Sequence, residues 1–184
     1  YRLVAHLLAA VAIYLAALWV ALDLLTPRRE GNSAMLGRRL TLLLGLAALT
    51  LVAGGFVAGL RAGYIYNTFP LMNGYVIPPD YGAGLRWYRV PFESLAAAQF
   101  DHRALAELTW LVTATLWLWS LRLDLTPRLR TAMHALAAMA TLQLALGIAT
   151  LLLVVPIPLA AAHQAGAILL LTAVLVARHA TRQR

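Results

Sequence analysis

The chain has 184 residues, of which 62% are hydrophobic and 12% charged, whereas an average soluble domain is about 45–50% apolar and about 25% charged. This composition excludes an ordinary soluble domain and, since disorder requires low hydrophobicity, a disordered segment. The net charge is +8 and all 15 Lys or Arg positions are arginine, but they lie in connections between apolar stretches, so we expect no nucleic-acid partner. Because cysteine is absent, any metal or cofactor has to be held by His, Met, carboxylate or backbone groups.

Five apolar stretches are each about 20 residues long, which is the length that an α-helix needs to cross a bilayer. Apolar residues lie all round each stretch, so the pattern predicts five transmembrane helices rather than surface helices. The last four are connected closely enough to form an up-down bundle, which predicts an all-α integral membrane protein with a four-helix bundle plus one extra N-terminal helix. The predicted spans are Leu3–Leu25, Leu40–Leu60, Ala104–Leu121, Thr131–Val155 and Ile157–Ala177.

The arginines predict how the helices are oriented in the membrane. Ten of them follow the first, third or fifth span, and the positive-inside rule places that side in the cytoplasm. We therefore expect a multi-pass protein of the bacterial inner membrane, with a cytoplasmic C-terminus and with loop 61–99 on the outer side. The loop is rich in aromatic residues, which predicts that it packs on the membrane interface or over a site. The ten arginines are Arg28, Arg29, Arg38, Arg39, Arg122, Arg128, Arg130, Arg178, Arg182 and Arg184.

The chain divides into a first helix at 1–25, a cytoplasmic loop at 26–39 and a bundle at 40–184. The letters LDLLTPR at 22–28 resemble LDLTPR at 123–128, and both close a helix that runs inward. Such a repeat indicates duplication of a helix group, as in many membrane folds, although two short matches in Leu-rich sequence also arise by chance. The chain begins with Tyr1 rather than Met, and we expect it to be part of something longer.

The five histidines fall into two groups by predicted depth. His102 and His163 lie near the outer ends of helices that are diagonal partners in an up-down bundle, and two opposed neutral imidazoles are suitable axial ligands for a haem iron. His6 is also near an outer end, but it has no diagonal mate in this chain. His134 and His179 lie near inner ends, where we interpret them as hydrated interfacial residues.

Glycines and arginines at the depth of the outer histidines allow two interpretations each. Glycines recur at a spacing of four residues around Gly59, and Gly166 lies one turn after His163. These glycines provide space either for a flat porphyrin or for ordinary close helix packing. Arg61 and Arg103 are suited to bidentate pairing with haem propionates. In the alternative, Arg103 pairs with Glu107 at i+4 and Arg61 is an interfacial anchor.

Several motifs together resemble the haem A synthase family over essentially the whole chain. The loop carries GLRAG at 59–63 and YNTFPLM at 66–72, and the third span is preceded by QFDHR at 99–103. The last two helices carry QLALGIAT at 143–150 and HQAGA at 163–167, and the N-terminus resembles the start of the family's fourth helix.

The resemblance implies a protein of eight helices, built as two similar four-helix halves that each present a histidine pair near the outer surface. The chain then contains the last helix of the substrate half, at 1–25, and the complete cofactor half. His102 and His163 would be the axial ligands of the cofactor haem b, and His6 would be the second iron ligand, on the catalytic side, for the substrate haem. Gln99 stands where the substrate half carries its catalytic Glu.

The implied activity is oxidation of the C8 methyl group of haem O to the formyl group of haem A, for terminal oxidase biogenesis. The implied partners are haem O, haem O synthase, a quinone or other electron acceptor and the lipid bilayer, and oligomerisation is open. We expect this chain alone to bind one bis-histidine haem without turning over haem O. Two alternatives stay open: a di-histidine cytochrome b anchor that only transfers electrons, and a haem-handling or transport protein.

Overall fold

A computed structural model describes residues 1–25 and 34–182. Within them, regular structure is helical apart from one isolated bridge between Met72 and Tyr75, which confirms the predicted all-α class. The elements are α1 (Arg2–Leu25), α2 (Ala34–Leu60), a 3₁₀ turn (Ala62–Tyr64), α3 (Val90–Glu93), α4 (Leu95–Ser120), α5 (Pro127–Leu152) and α6 (Ile157–Ala180).

Four of the long helices, α1, α2, α5 and α6, are long and apolar enough to cross a membrane, as expected for a multi-pass membrane protein. Helix α4 is as long, at 26 residues, but it is not one of these four. Its Glu107 and its Trp and Thr residues make α4 less hydropathic than the others. Composition thus supports four of the five predicted spans.

Helices α2, α4, α5 and α6 form a four-helix bundle in which each helix packs against two neighbours. Helices α4 and α6 are diagonal to each other, as predicted. The core is made mainly of leucines that line the inside of the bundle, with Met133 and Val174 between them. Helix α1 lies outside this bundle and packs in the groove between α2 and α6.

Three helices, α2, α4 and α5, begin earlier than the sequence predicts, and a local hydrogen bond explains the start of α4. Helix α5 begins at Pro127 rather than Thr131. Helix α4 starts at Leu95 because the Ser94 hydroxyl caps it, accepting a hydrogen bond from the backbone N–H of Ala97 at 3.2 Å. Residues 95–99 of the predicted loop are therefore helical. Helix α2 starts at Ala34 rather than Leu40, so the predicted loop at 26–39 is helical from 34, while residues 26–33 and Arg184 lie outside the described residues.

The connection between α2 and α4 is folded against the bundle rather than extended. The Asn67 side chain donates to the carbonyls of Gly63, at 2.8 Å, and of Leu151 in α5, at 2.9 Å. Tyr81 donates to the Asp101 carboxylate of α4 at 3.0 Å. The connection thus lies over the bundle end that carries His102 and His163, which we call the histidine end; the end at which α2 begins and α6 stops is the arginine end.

Candidate cofactor site between His102 and His163

His102 and His163 meet because of their register in two diagonal helices. His102 is the eighth residue of α4 and His163 the seventh of α6, so each lies about two turns below the start of its helix. Their ring centroids are 6.3 Å apart, and the two planes make an angle of 77°. The structure therefore brings the two histidines together inside the bundle, with the edge of one imidazole toward the face of the other.

Each imidazole packs against a glycine of a neighbouring helix. A Cβ atom at Gly54 of α2 would lie 2.9 Å from Cε1 of His102, and one at Gly147 of α5 would lie 2.9 Å from Cε1 of His163. Contacts that short essentially never occur between real side-chain carbons and their neighbours. Both positions therefore have to lack a side chain for the rings to hold these orientations.

The Nδ1 atoms of the two rings have different environments. His102 Nδ1 lies 3.1 Å from the backbone carbonyl oxygen of Thr50, so it carries the proton and Nε2 has a free lone pair. The Thr50 hydroxyl lies 2.8 Å from the hydroxyl of Thr109, which ties this part of α2 to α4. His163 Nδ1 is buried without a hydrogen-bond partner among the described residues.

The centroid separation of the pair matches the one expected for two imidazoles that ligate one metal. A metal–imidazole bond of about 2 Å places a ring centroid about 3 Å from the metal, so two axial imidazoles are expected about 6 Å apart. No cluster of three or more His, Cys, Asp or Glu residues exists within residues 1–25 and 34–182. The residues therefore fit an iron that brings its own equatorial nitrogens, as in haem, better than a bare ion.

Two buried glutamines flank the histidines. Gln99, which is 2% exposed, donates from Nε2 to the carbonyl of Tyr66 at 3.1 Å, and Gln143 donates to the backbone carbonyl of His163 at 2.9 Å. The Oε1 atom of each is buried without a partner in the described part of the chain. Each glutamine thus keeps a buried, unpaired acceptor oxygen close to the histidine pair.

The two arginines proposed for propionates differ in environment. Arg103 donates to the backbone carbonyls of Tyr66, at 2.6 Å, and Thr68, at 2.8 Å, while its Nε is buried and unpaired among the described residues. It therefore holds the loop, and it forms no ion pair with Glu107 in the described chain, contrary to the alternative considered above. Arg61 is exposed and has left-handed backbone angles, with φ 55°.

Two of the glycines chosen from the sequence, Gly59 and Gly166, lie beside the site rather than in it. A Cβ atom at Gly59 would point to Leu3 of α1, at 4.0 Å, so this glycine borders α1 and not the imidazoles. A Cβ atom at Gly166 would overlap Gln143 Oε1, so Gly166 makes room for the glutamine that bonds the His163 carbonyl. The ring-facing positions are Gly54, which sequence reasoning missed, and Gly147.

The remaining histidines lie away from this pair. His6 is exposed on α1, and its Nδ1 lies 2.8 Å from the Arg2 carbonyl. His134 is exposed, whereas His179 is only 9% exposed, so the prediction that His179 is merely hydrated was wrong. Trp117 donates to His134 Nδ1 at 2.9 Å, and His179 Nε2 lies 2.9 Å from the Asp23 carboxylate.

Comparison with known proteins identifies the family. The model of the COX15-CtaA family, described as "Cytochrome oxidase assembly protein", matches residues 1–175. This chain belongs to the haem A synthase family. It is 49% identical over its whole length to "Heme A synthase" of Nitrosospira multiformis, of which it covers 53%. It is also 42% identical, over 95% of the chain, to human "Heme A synthase COX15", of which it covers 44%.

The chain spans about half the length of these curated haem A synthase relatives. No solved structure matches it.

Proposed function

We propose that this chain provides the haem b-binding half of a haem A synthase, with His102 and His163 as the two axial ligands. The observation that carries this proposal is the close pair of imidazoles, with centroids 6.3 Å apart between diagonal helices. Family membership supports the enzyme class, an oxidoreductase of haem A synthesis. A haem iron with two histidine ligands has no open position, so it would supply electron transfer rather than oxygen binding.

The protein's contribution in this proposal is to ligate, orient and enclose. The Thr50 carbonyl fixes the His102 tautomer so that Nε2 keeps a free lone pair. Gly54 and Gly147 permit both ring orientations, and Gln143 holds the backbone at His163. Gln99 Oε1, Gln143 Oε1 and Arg103 Nε have no hydrogen-bond partner among the described residues and are available to groups at the rim of the cofactor. Arg103 or Arg61 would pair with the propionates of the cofactor.

The neutral Gln99 supports a cofactor role for this half, because an amide cannot act as the general base that a glutamate would provide at that position. His6 supports a further haem site that this chain shares: it is exposed, and its Nδ1 contact leaves Nε2 free. We propose that His6 is an iron ligand for the substrate haem O. Haem O synthase as donor, a quinone or similar acceptor, and oligomers in the bacterial plasma membrane are parts of the same proposal.

The haem assignment is tested on the protein purified in detergent by its reduced-minus-oxidised spectrum. We expect a low-spin b-type signal that is lost in His102→Ala and His163→Ala and kept in His134→Ala, which changes a histidine far from the pair. A normal low-spin spectrum in either of the first two variants would overturn the ligand assignment.

The activity is tested separately by haem A production in cells that lack their own synthase, using the full-length gene that encodes this chain. We expect haem A to form with the wild-type gene and to be lost with His6→Ala, while the b-type signal of the His102–His163 pair persists. Failure of the wild-type gene, with the b-type signal intact, would favour the electron-transfer anchor over the synthase.

A further inference from the structure

A groove lies at the arginine end of the bundle, away from the histidine pair, where the start of α2 faces the end of α6. It has a volume of about 670 Å³. No acidic residue is among the described residues that line it, which are Ala34, Gly37, Arg38, Thr41, Leu42, Arg178, Thr181 and Arg182. The groove therefore combines three guanidinium groups with hydroxyl groups and an apolar wall.

The Arg178 side chain is held across the gap between the two helices. Its Nε donates to the Thr41 hydroxyl at 2.8 Å, and its NH1 donates to the Thr181 hydroxyl at 3.3 Å. Helices α2 and α6 can approach this closely because residue 37 is a glycine. A Cβ atom there would lie only 2.8 Å from the Thr181 hydroxyl oxygen. Two of the five guanidinium N–H groups are used in this way, so three remain for a ligand on a side chain whose orientation is already fixed.

The other two arginines differ in how much charge they leave uncompensated. Arg182 donates to the Asp23 carboxylate at 2.6 Å, and its guanidinium lies 4.8 Å from the centre of the Trp19 ring. Arg38 is exposed and forms no hydrogen bond or ion pair with any residue in the described ranges. Two full positive charges, those of Arg38 and Arg178, therefore face the groove without an acidic partner among residues 1–25 and 34–182.

The apolar wall indicates what kind of anion fits. Leu42 lies one turn along α2 from Arg38, toward the middle of a helix that is apolar enough to cross a membrane. It is 75% exposed, so an acyl chain can lie on it while a phosphate lies between the arginines. A free phosphate would use the arginines alone and leave this wall uncovered.

We propose that this groove binds the headgroup of an anionic phospholipid, with its phosphate between Arg38 and Arg178 and one acyl chain along Leu42. The phosphate oxygens accept hydrogen bonds from the free guanidinium N–H groups of both arginines. Basic pockets at the ends of transmembrane helices recognise lipid headgroups in the same manner. The site is independent of the haem proposal, because it shares no residue with the histidine end.

The test uses the purified protein and measures bound lipid by native mass spectrometry after titration with phosphatidylglycerol or phosphatidylcholine. We expect phosphatidylglycerol to bind more tightly and Arg38→Gln to weaken it about fivefold, the effect of one arginine near an anionic surface. Arg38 makes no internal hydrogen bond among the described residues, so this variant is expected to fold. Arg128→Gln removes an exposed arginine on α5 at the same end, outside the groove, and is expected to leave binding unchanged.

Three results would overturn the proposal: equal binding of the two lipids, equal weakening by Arg38→Gln and Arg128→Gln, or full competition by millimolar inorganic phosphate. The last result would show a phosphate site that does not need the acyl chain. Leu42→Ser provides a second measurement, and we expect it to weaken phosphatidylglycerol binding without changing any retention of inorganic phosphate.

Discussion

The imidazoles of His102 and His163 lie edge to face with ring centroids 6.3 Å apart, and each ring lies against a glycine of an adjacent helix. The two halves of this arrangement are alike in construction, with Gly54 of α2 opposite one ring and Gly147 of α5 opposite the other. They differ at Nδ1, since His102 Nδ1 has the Thr50 carbonyl as its hydrogen-bond partner and His163 Nδ1 has none among the described residues.

The first prediction concerns the ring-facing glycines. In Gly147→Ala the new methyl group overlaps Cε1 of His163, and overpacking of this kind costs about 1–3 kcal/mol, so we expect haem retention to weaken about tenfold. Haem titration followed by the absorption spectrum measures this change. Gly59→Ala is the matched control, because its methyl group meets Leu3 at 4.0 Å, an ordinary contact. Equal retention in both variants would contradict the assigned role of Gly147.

The second prediction concerns the contact between α1 and α6. Asp23 accepts from Arg182 at 2.6 Å and lies 2.9 Å from His179 Nε2, and His179 is only 9% exposed. Removing the carboxylate charge in Asp23→Asn leaves these groups poorly paired, so we expect the Tm in detergent to fall by about 2–4 °C. Asp124→Asn changes an exposed acid that has no partner among the described residues, and its Tm is expected to stay at the wild-type value.

The third prediction is a pH dependence at the histidine end. Hydrogen bonds from Arg89 and then Tyr1 lower the pKa of Glu93 below its usual 4.5. A group whose pKa is lowered by folding stabilises the fold above its unfolded pKa, and this contribution is lost as the pH falls through the folded pKa. We expect Glu93→Gln to have a lower Tm than wild type at pH 6, and the difference to vanish in more acidic buffer.

The measurement for Glu93 is the Tm of both proteins at a series of pH values. Arg89→Gln removes the stronger of the two partners, so the pH at which the difference disappears should rise toward 4.5. A Tm difference that does not change with pH would mean that the glutamate acts by packing alone.

The fourth prediction concerns the loop over the site. Arg103 binds the Tyr66 and Thr68 carbonyls with two N–H groups of one planar fork, and a lysine cannot reproduce that geometry. We expect Arg103→Lys to be cut by chymotrypsin near Tyr66 severalfold faster than wild type. Arg61→Lys, at an exposed arginine, should be cut at the wild-type rate, and similar rates for both variants would count against Arg103 as the residue that holds the loop.

The fifth prediction concerns the turn between α5 and α6. Val154 and Val155 both have left-handed backbone angles, with φ 60° and 57°, a conformation that costs an L-residue about 1–2 kcal/mol. Val154 is half exposed, so Val154→Gly relieves the strain with little loss of packing, and we expect the Tm to rise by about 2–4 °C. Val76→Gly, at an exposed valine without a positive φ, should not raise it.

Much of the fold follows from sequence alone, because a hydrocarbon environment demands long apolar helices whose backbone groups bond internally. That constraint predicts the helices around His102 and His163 and the bundle in which α4 and α6 are diagonal. The family motifs at 99–103 and 163–167 contain the same two histidines. The apolar pattern does not place helix starts such as Leu95, since a cap by Ser94 depends on one local hydrogen bond.

What only the tertiary structure decided is which side chains meet. Gly54 rather than Gly59 faces a histidine because helix rotation, which is set by packing against two neighbours at once, cannot be read from a helix that is apolar all round. For the same reason sequence did not pair His179 with Asp23, or bring Arg38 and Arg178 to one groove. Sequence therefore determined the class, the family and the two histidines, while packing decided the orientation, partners and surroundings of each.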